Sequence, residues 1–478
     1  MSYVIESDPL AQQGPVSSGL GVVSSELGVA GSELGVASSG LGVAGFGSGV
    51  GAGPGASGLP KAGPRSFLLD RGGLQFAGAL VTAAGPLFYY TWDPYASTSL
   101  LGMLDAYAGS VASVALGFYV LKRVTAFPTS HAPAAVLPIF GGSFALVLGL
   151  LTWLGWRFDP EPVFIGFVLS VAWLTAVLYV AERARQRQFA LLPIGDTLSL
   201  MAQSGPRWKV LGAAPVLPSP CDGVVVDLRA DIPAHWEQFL TRCVLSGVPV
   251  FHVTQAQEML SGRLDIRHLS ENMLTSHDPH RAYLALKRVF DTLAALAALV
   301  VLGPLLLIVG ALVKLDSPGP ALFTQARIRK GGSKFTIYKF RTMKIGAAAP
   351  QSRADAMTRD HDPRITRLGA FLRKSRIDEL PQILNILKGE MSWIGPRPEA
   401  APLAEWYESQ LPFYQYRHIV PPGISGWAQT NQGHVTDPSD VLDKLHYDFF
   451  YIKNFSIWLD LLIVLKTLRT MLTGFGAR

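Results

Sequence analysis

Long apolar runs dominate the first half of the chain, at about Leu74–Tyr90, Leu100–Leu121, Ala134–Trp156 and Val163–Val180. Each is close to the ~20 residues that a helix needs to cross hydrocarbon. Basic residues flank them unevenly. Lys61, Arg65 and Arg71 precede the first run, Lys122 and Arg123 follow the second, and Arg183, Arg185 and Arg187 follow the fourth. The two other loops, TWDPYASTS and RFDPEP, are poor in basic residues. An excess of Lys and Arg on cytoplasmic loops predicts four membrane-crossing helices with both ends of the region in the cytoplasm. No ionisable residue interrupts the centre of the first, third or fourth run, and Asp105 lies near one end of the second. A transporter would be expected to carry charge there, so that class is disfavoured.

The pattern then shortens. VLGAAPV, DGVVVDL and VPVFHV read as buried strands, with an amphipathic helix, IPAHWEQFLTRCVLSG, between the last two. This predicts a small soluble α/β unit over 188–280. It lacks a G-x-G-x-x-G turn, so nothing assigns it a cofactor. His252, on a predicted strand, reads as a structural histidine. A further apolar run, Thr292–Val313, has Lys287 and Arg288 before it and Lys314, Arg327, Arg329 and Lys330 after it. Basic residues on both sides ask for both ends in the cytoplasm, and Gly303–Pro304 sits at its middle, where proline removes a helix hydrogen bond. A re-entrant hairpin over about 289–313, broken at Gly303 and Pro304, satisfies both facts. The last run, Ser456–Leu472, carries Trp458, Leu461, Leu462, Leu465 and Leu468 with Asp460, Lys466 and Arg469, the pattern of a helix lying at an interface.

Chemistry concentrates in RKSRIDELPQILNILKGEMSWIGPRP, Arg373–Pro398. Leu380, Ile383, Leu384 and Leu387 share one helical face, Pro381 fits only a first turn, and Gly389 is a stop signal. A helix is therefore predicted from about Asp378–Leu380, with Asp378 and Glu379 at its N-terminus. By itself such a pair merely complements the helix dipole, with Ser375 as cap. Here Arg373, Lys374 and Arg376 precede it and Arg397 follows, a mixture suited to handling Mg²⁺ together with phosphate oxygens. Upstream, KFTIYKF alternates like a strand and leads to Lys339 and Arg341, which read either as a solvated charged edge or as groups facing a diphosphate or lipid phosphate. In PPGISGWAQ, Trp427 reads as structural.

Composition agrees with a membrane protein: 49% of residues are hydrophobic and only 16% charged. The net charge of +6 suits anionic lipid and nucleotide phosphates rather than a nucleic-acid track. The two cysteines, Cys221 and Cys243, make neither a disulfide framework nor a metal cluster and point to a reducing compartment. Residues 1–64 repeat a seven-residue unit (SSGLGVV, SSELGVA, GSELGVA, SSGLGVA) whose glycines argue against a coiled coil. A flexible cytosolic tail is expected, without the charged start and compact apolar core of a signal peptide.

The segments KRVFD, SPGPALFTQARIRKGG, FTIYKFRTM, DPRITRLGAFLRKSRIDELPQILNILKGEMSWIGPRP, PPGISGWAQ and KLHYDFFYIKNFSIWLDLLIVLKT, in that order from Lys287 to Thr467, resemble the bacterial sugar transferases, the monotopic-type polyprenyl-phosphate phosphoglycosyl transferases. The membrane-spanning half before them resembles the long, multi-pass subgroup that starts exopolysaccharide or O-antigen units. The resemblance implies an architecture of a 1–64 tail, four transmembrane helices in 65–187, the α/β unit of 188–280, and an α/β catalytic domain over 281–478 anchored by the re-entrant hairpin. It implies transfer of a sugar-1-phosphate from a UDP-sugar to undecaprenyl phosphate, releasing UMP, at the cytoplasmic face of the bacterial inner membrane. Asp378 would be the nucleophile and form a phosphosugar intermediate, Glu379 would hold Mg²⁺, and Arg397 and Arg373 would grip phosphate. It favours Lys339 and Arg341 facing phosphate over a solvated edge. The sugar is left open, as is a homo-oligomer. The other class carried forward is an inactive membrane scaffold of polysaccharide assembly, which loss of the acidic pair or of Arg397 would have favoured. Thr430–Asn431–Gln432–Gly433 departs from the family's usual Asn-Gly after WAQ, which puts a sugar contact there in doubt.

Overall fold

A computed structural model describes residues 72–92, 100–127, 132–157, 160–184, 187–203, 205–212, 216–219, 221–265, 281–344, 362–411, 413–432 and 438–473. The repeats of 1–64 lie outside these residues. The membrane region consists of α1 (Gly72–Trp92), α2 (Leu100–Val124), α3 (Ala132–Trp153) and α4 (Pro160–Ala184). Small and hydroxylated residues let the helices approach: Thr82 Oγ1 on α1 donates to Ser170 Oγ on α4 at 3.3 Å, and Ser170 Oγ donates to the Ala79 carbonyl at 3.3 Å. Large apolar side chains such as Leu137, Leu146, Trp153 and Phe164 point outward, as lipid contact requires. Among the described residues, four helices are long and apolar enough to cross a membrane: Leu104–Val124, Ala132–Trp153, Pro160–Arg183 and Arg281–Asp316. The apolar stretch found in α1, Gln75–Ala84, is shorter.

The middle unit is a parallel sheet of β1 (Gln188–Leu191), β2 (Arg207–Val210), β3 (Gly223–Val226) and β4 (Val250–His252) in the order β2-β1-β3-β4. Both faces are buried, so its central strands are apolar apart from Gln188 at the start of β1. Ala190, Val224 and Val226 meet α5 (Ala234–Leu245) through Trp236, Phe239 and Cys243. Phe189, Leu191 and Val225 meet α6 (Val253–Ser261) through Val253 and Ala256. The sequence pattern predicted a strand at VLGAAPV and missed QFAL. The strand is RWKV, ending where VLGAAPV begins, and QFAL is central to the sheet. His252 is structural, its Nδ1 accepting the Thr254 amide at 3.0 Å to cap α6.

The C-terminal part opens with α7 (Arg281–Asp316), 36 residues that remain helical through Gly303 and Pro304. The predicted break at Gly303–Pro304 is not a gap in the helix: Pro304 lies inside it, at the cost of one intrahelical hydrogen bond. Both ends of α7 touch the same body. Near the start, Lys287 Nζ meets Asp460 Oδ2 at 2.5 Å, and past the C-terminal end Arg341 donates to the Ser317 carbonyl at 2.6 Å. Along one side, Ala295, Leu299 and Leu302 pack on Phe335, Ile337, Ile383 and Ile386, and then Val309 and Val313 pack on Phe340 and Leu372. The opposite side is bare, with Val300 at 79% and Leu307 at 78% exposure.

An antiparallel hairpin, β5 (Leu322–Ile328) and β6 (Lys334–Phe340), is followed by α8 (Arg367–Lys374), a 3₁₀ turn Ile377–Gln382 and α9 (Ile383–Lys388). Then come β7 (Ser392–Ile394), α10 (Ala401–Gln410), a second 3₁₀ turn Tyr414–Ile419, and β8 (Gly423–Ser425), which pairs parallel with β7. The chain ends in α11 (Trp427–Asn431), α12 (Pro438–Lys453) and α13 (Ile457–Thr473). α13 packs against α2, where Tyr119 and Trp458 meet edge-on at 5.5 Å.

Candidate active site

The acidic pair lies in a corner between two helices. Thr366 caps α8, its Oγ1 accepting the Gly369 amide at 2.8 Å. A Cβ on Gly369 would lie 2.1 Å from the Thr342 carbonyl oxygen, so only glycine lets α8 sit this close to the end of β6. Ser375 closes α8 rather than capping the next element: its Oγ donates to the Phe371 carbonyl at 2.8 Å. The chain then reverses through Arg376, a non-glycine residue at φ +60°, and winds as a 3₁₀ turn bearing Asp378 and Glu379. Left-handed backbone at such a residue costs on the order of 1 kcal/mol and is held by its surroundings. The α-helix predicted from Asp378 therefore begins only at Ile383, and Gly389 ends it at φ +80°.

The buried side of α9 is Ile383, Asn385 and Ile386, while Leu384 is exposed. Asn385 is fully buried and bonds β6 on both sides. Its Oδ1 accepts the Tyr338 amide at 3.1 Å, and its Nδ2 donates to the Thr336 carbonyl at 2.7 Å. This fixes the strand that carries Lys339 against the turn that carries Glu379.

Glu379 Oε1 accepts both Lys339 Nζ and Arg397 Nη2, each at 2.7 Å, in a buried setting. Burial alone would raise the Glu379 pKa, but Arg397 and Lys339 outweigh it and hold the carboxyl well below the usual range. Asp378 differs. Burial and the Glu379 charge raise its pKa, against the pull of Lys339, Arg373 and Arg397. Its Oδ1 is buried without a hydrogen-bond partner. Two adjacent carboxylates are thus driven apart: one neutralised by paired cations, one left with an unused oxygen. Arg373 lies near Asp378 and donates from Nε to Thr342 Oγ1 at 2.9 Å.

Of the residues singled out from sequence, Asp378, Glu379, Lys339, Arg373 and Arg397 converge. Arg341 does not. It sits one residue beyond β6, and its guanidinium donates to the carbonyls of Val313 (3.2 Å), Ser317 (2.6 Å) and Pro318 (3.0 Å). These bonds serve carbonyls at and just beyond the end of α7, and the Arg341 Nε is buried without a partner. Gln429 donates to the Ile424 carbonyl, and Asn431 donates to the Trp427 carbonyl while its Oδ1 accepts Lys466 Nζ from α13 at 2.6 Å. Trp427 is buried and donates from Nε1 to the Gly262 carbonyl at 2.8 Å.

Sequence reasoning missed a second charged cluster behind the GPRP turn. It contains Arg327, Glu399, Arg417, Lys444 and Asp448. Arg327 lies close enough to feel Glu379 and Arg397, and burial brings its pKa down to about 10. These residues are spread over more than a hundred positions, so spacing gives no signal. His418 lies beside the cluster. Burial, helped by Arg417, lowers its pKa to about 4 from 6.5, and Glu408 Oε1, 3.8 Å away and more exposed, does not offset that. The folded state thus resists a proton that the unfolded state accepts, so stability should fall as pH drops from about 6.5 towards 4, by up to roughly 3 kcal/mol. Thermal melting between pH 7 and 4.5 should show this slope, and His418→Gln should flatten it. An unchanged slope in the variant would place the titration elsewhere.

The sequence of residues 282–474 matches the family model for bacterial sugar transferase. The chain is 42% identical over 376 residues to UDP-N-acetylgalactosamine-undecaprenyl-phosphate N-acetylgalactosaminephosphotransferase of Aeromonas hydrophila, an alignment covering 78% of this chain and 88% of the relative. The chain belongs to the bacterial sugar transferase family. Other relatives match over the catalytic part. The exopolysaccharide production protein PSS of Rhizobium leguminosarum bv. phaseoli is 43% identical over 195 residues, 40% of this chain and 96% of the relative. The UDP-glucose:undecaprenyl-phosphate glucose-1-phosphate transferase of Escherichia coli K12 is 40% identical over 185 residues, 38% of this chain and 39% of the relative. The family match contains every residue of the converged site, so the Asp378–Glu379 corner lies within the part of the transferase that its relatives share.

Proposed function

We propose that this transferase moves a sugar-1-phosphate from a UDP-sugar to undecaprenyl phosphate, releasing UMP and starting a surface polysaccharide. The observation that carries the reading is the buried Asp378 oxygen with no partner, beside a Glu379 clamped by Lys339 and Arg397. Both substrates are anionic, so direct attack of one on the other is repelled, and a carboxylate nucleophile splits the transfer in two. An oxygen of ionised Asp378 attacks the sugar-linked phosphorus, the bond from that phosphorus to the bridging oxygen breaks, and UMP leaves with the bond's electrons. A lipid phosphate oxygen then attacks the same phosphorus and returns the Asp378 carboxylate. Arg397, Lys339 and Arg373 hold phosphate oxygens while charge shifts between them.

Mg²⁺ fits the donor set. Two carboxylates, one with a buried unpartnered oxygen, suit an ion that keeps several waters and uses substrate phosphates for its remaining positions. Glu379, with Asp378 beside it, would hold the ion, which when bound neutralises the diphosphate and helps UMP leave.

We further propose that α7 enters and leaves one leaflet, with the site on the cytoplasmic side of the inner membrane. Supporting this, both ends of α7 contact one body while its far face is apolar and bare. Basic residues at both ends agree with it. UDP-N-acetylgalactosamine is the first donor to test, because the relative aligned across the membrane and middle regions as well carries that sugar in its name. Purified protein with undecaprenyl phosphate and Mg²⁺ should release UMP from this donor faster than from UDP-glucose or UDP-galactose. A different ranking would reassign the sugar. Silence across the panel, with no lipid-linked product in cells, would favour the scaffold reading.

A further inference from the structure

The second charged cluster grips three successive residues of the turn that bears Arg397. The Arg397 carbonyl accepts Arg417 Nη2 at 2.9 Å, the Pro398 carbonyl accepts Arg327 Nη1 at 2.6 Å, and the Glu399 carboxylate pairs with Lys444. Arg417 is the hub. It is 3% exposed, and its other bonds go to Tyr414 Oη (2.8 Å) and Asp448 Oδ2 (2.8 Å), with Glu399 Oε1 3.8 Å away. None of these partners belongs to the Asp378–Glu379 corner. The hydrogen-bonded link from Arg417 to that corner runs through the backbone of Arg397, whose side chain is bonded to Glu379. Arg417 is itself oriented from two elements: the 3₁₀ turn Tyr414–Ile419, entered through Phe413 at φ +60°, and α12, which carries Asp448. A planar guanidinium can serve a carbonyl, a carboxylate and a hydroxyl at fixed angles, whereas an ammonium on a flexible stem cannot hold all three.

We propose that Arg417 is a positioning residue for the transfer: it locks the Arg397 carbonyl and so sets where the Arg397 guanidinium meets Glu379 and the substrate phosphate. This rests on the reading of Arg397 as a phosphate grip. The competing role is glue between α12 and the rest of the domain, which a buried ion pair also supplies.

A double-mutant cycle separates the two, using the full chain in lipid nanodiscs and the donor on which the wild type releases most UMP. Arg417→Lys keeps a cation beside Asp448. It should lower kcat/KM by roughly tenfold or more in the wild-type background and by less than about twofold in an Arg397→Lys background, since a residue acting through Arg397 has nothing left to position. An equal loss in both backgrounds would overturn the proposal and leave a structural role, as would full activity of Arg417→Lys alone. If Arg417→Lys does not fold, Tyr414→Phe removes one hydroxyl that orients Arg417 and runs through the same cycle. It should show the same background dependence, and a background-independent loss would overturn the proposal. Failure of the underlying reading looks different: Arg397→Lys by itself would then keep wild-type kcat/KM.

Discussion

Asp378→Asn is expected to abolish UMP release, by at least about a thousandfold, while the protein melts at the same temperature or higher. The two halves of this result have one origin. The carboxylate is buried, burial and Glu379 raise its pKa, and one oxygen has no partner. A neutral isostere removes the nucleophile and also relieves the cost of an ionised group in a poorly solvating site. Loss of activity together with a lowered melting temperature would make Asp378 a structural residue instead. More than a tenth of wild-type activity in the variant would rule it out as the nucleophile. The covalent step has its own signature: with donor but no lipid acceptor, the wild type should carry a phosphosugar that Asp378→Asn lacks, readable as a mass increase of the intact protein.

Arg341→Ala should do the reverse. Three carbonyls at and beyond the end of α7 lose their donor in a buried place, which costs about 3 kcal/mol or more and lowers the melting temperature by roughly 10 °C. Turnover per folded molecule should stay within a few fold, because the guanidinium faces the helix end and not the acidic corner. Lys339→Met, two residues away, should lose activity as well as stability, because it removes both a cation of the acidic corner and a partner of the buried Glu379 carboxylate. Equal kinetic damage from both variants would restore Arg341 to the phosphate site.

That pair explains much of what could and could not be read from the chain. Alternation in KFTIYKF gives a strand, and on a strand residues 339 and 341 share a face. The strand stops at Phe340, so the rule expires one residue before Arg341. The DEL segment fails in a similar way. A 3.6-residue period counted from Leu380 puts Leu384 inside, but residues 377–382 wind as a 3₁₀ turn at about three residues per turn. The register shifts, and Ile386 takes the inner place while Leu384 faces out. The apolar helices and the capping glycine at 389 were legible because each depends on local pattern, whereas the acidic pair, Lys339, Arg373 and Arg397 stood out only through the resemblance to the sugar transferases. Asn385 and Arg417 were not legible. Each binds backbone groups brought near only by tertiary folding, and a lone Asn or Arg carries no mark of that.

The bond from the Trp427 indole to the Gly262 carbonyl sets a limit on how the chain can be divided. Its neighbours reinforce it: the Leu264 amide donates to the His446 carbonyl at 3.0 Å, Arg263 pairs with Asp443 at 3.1 Å, and Lys453 pairs with Glu258 at 2.7 Å. Residues 258–264 therefore act as a clasp that belongs structurally to the transferase although it lies upstream of α7. A chain restarted at Arg281 would keep every group of the acidic corner yet expose one face of α11 and α12, and leave a buried indole N–H to find water. A cut at the start of α7 therefore divides groups that are bonded to one another across the boundary between the middle unit and the transferase.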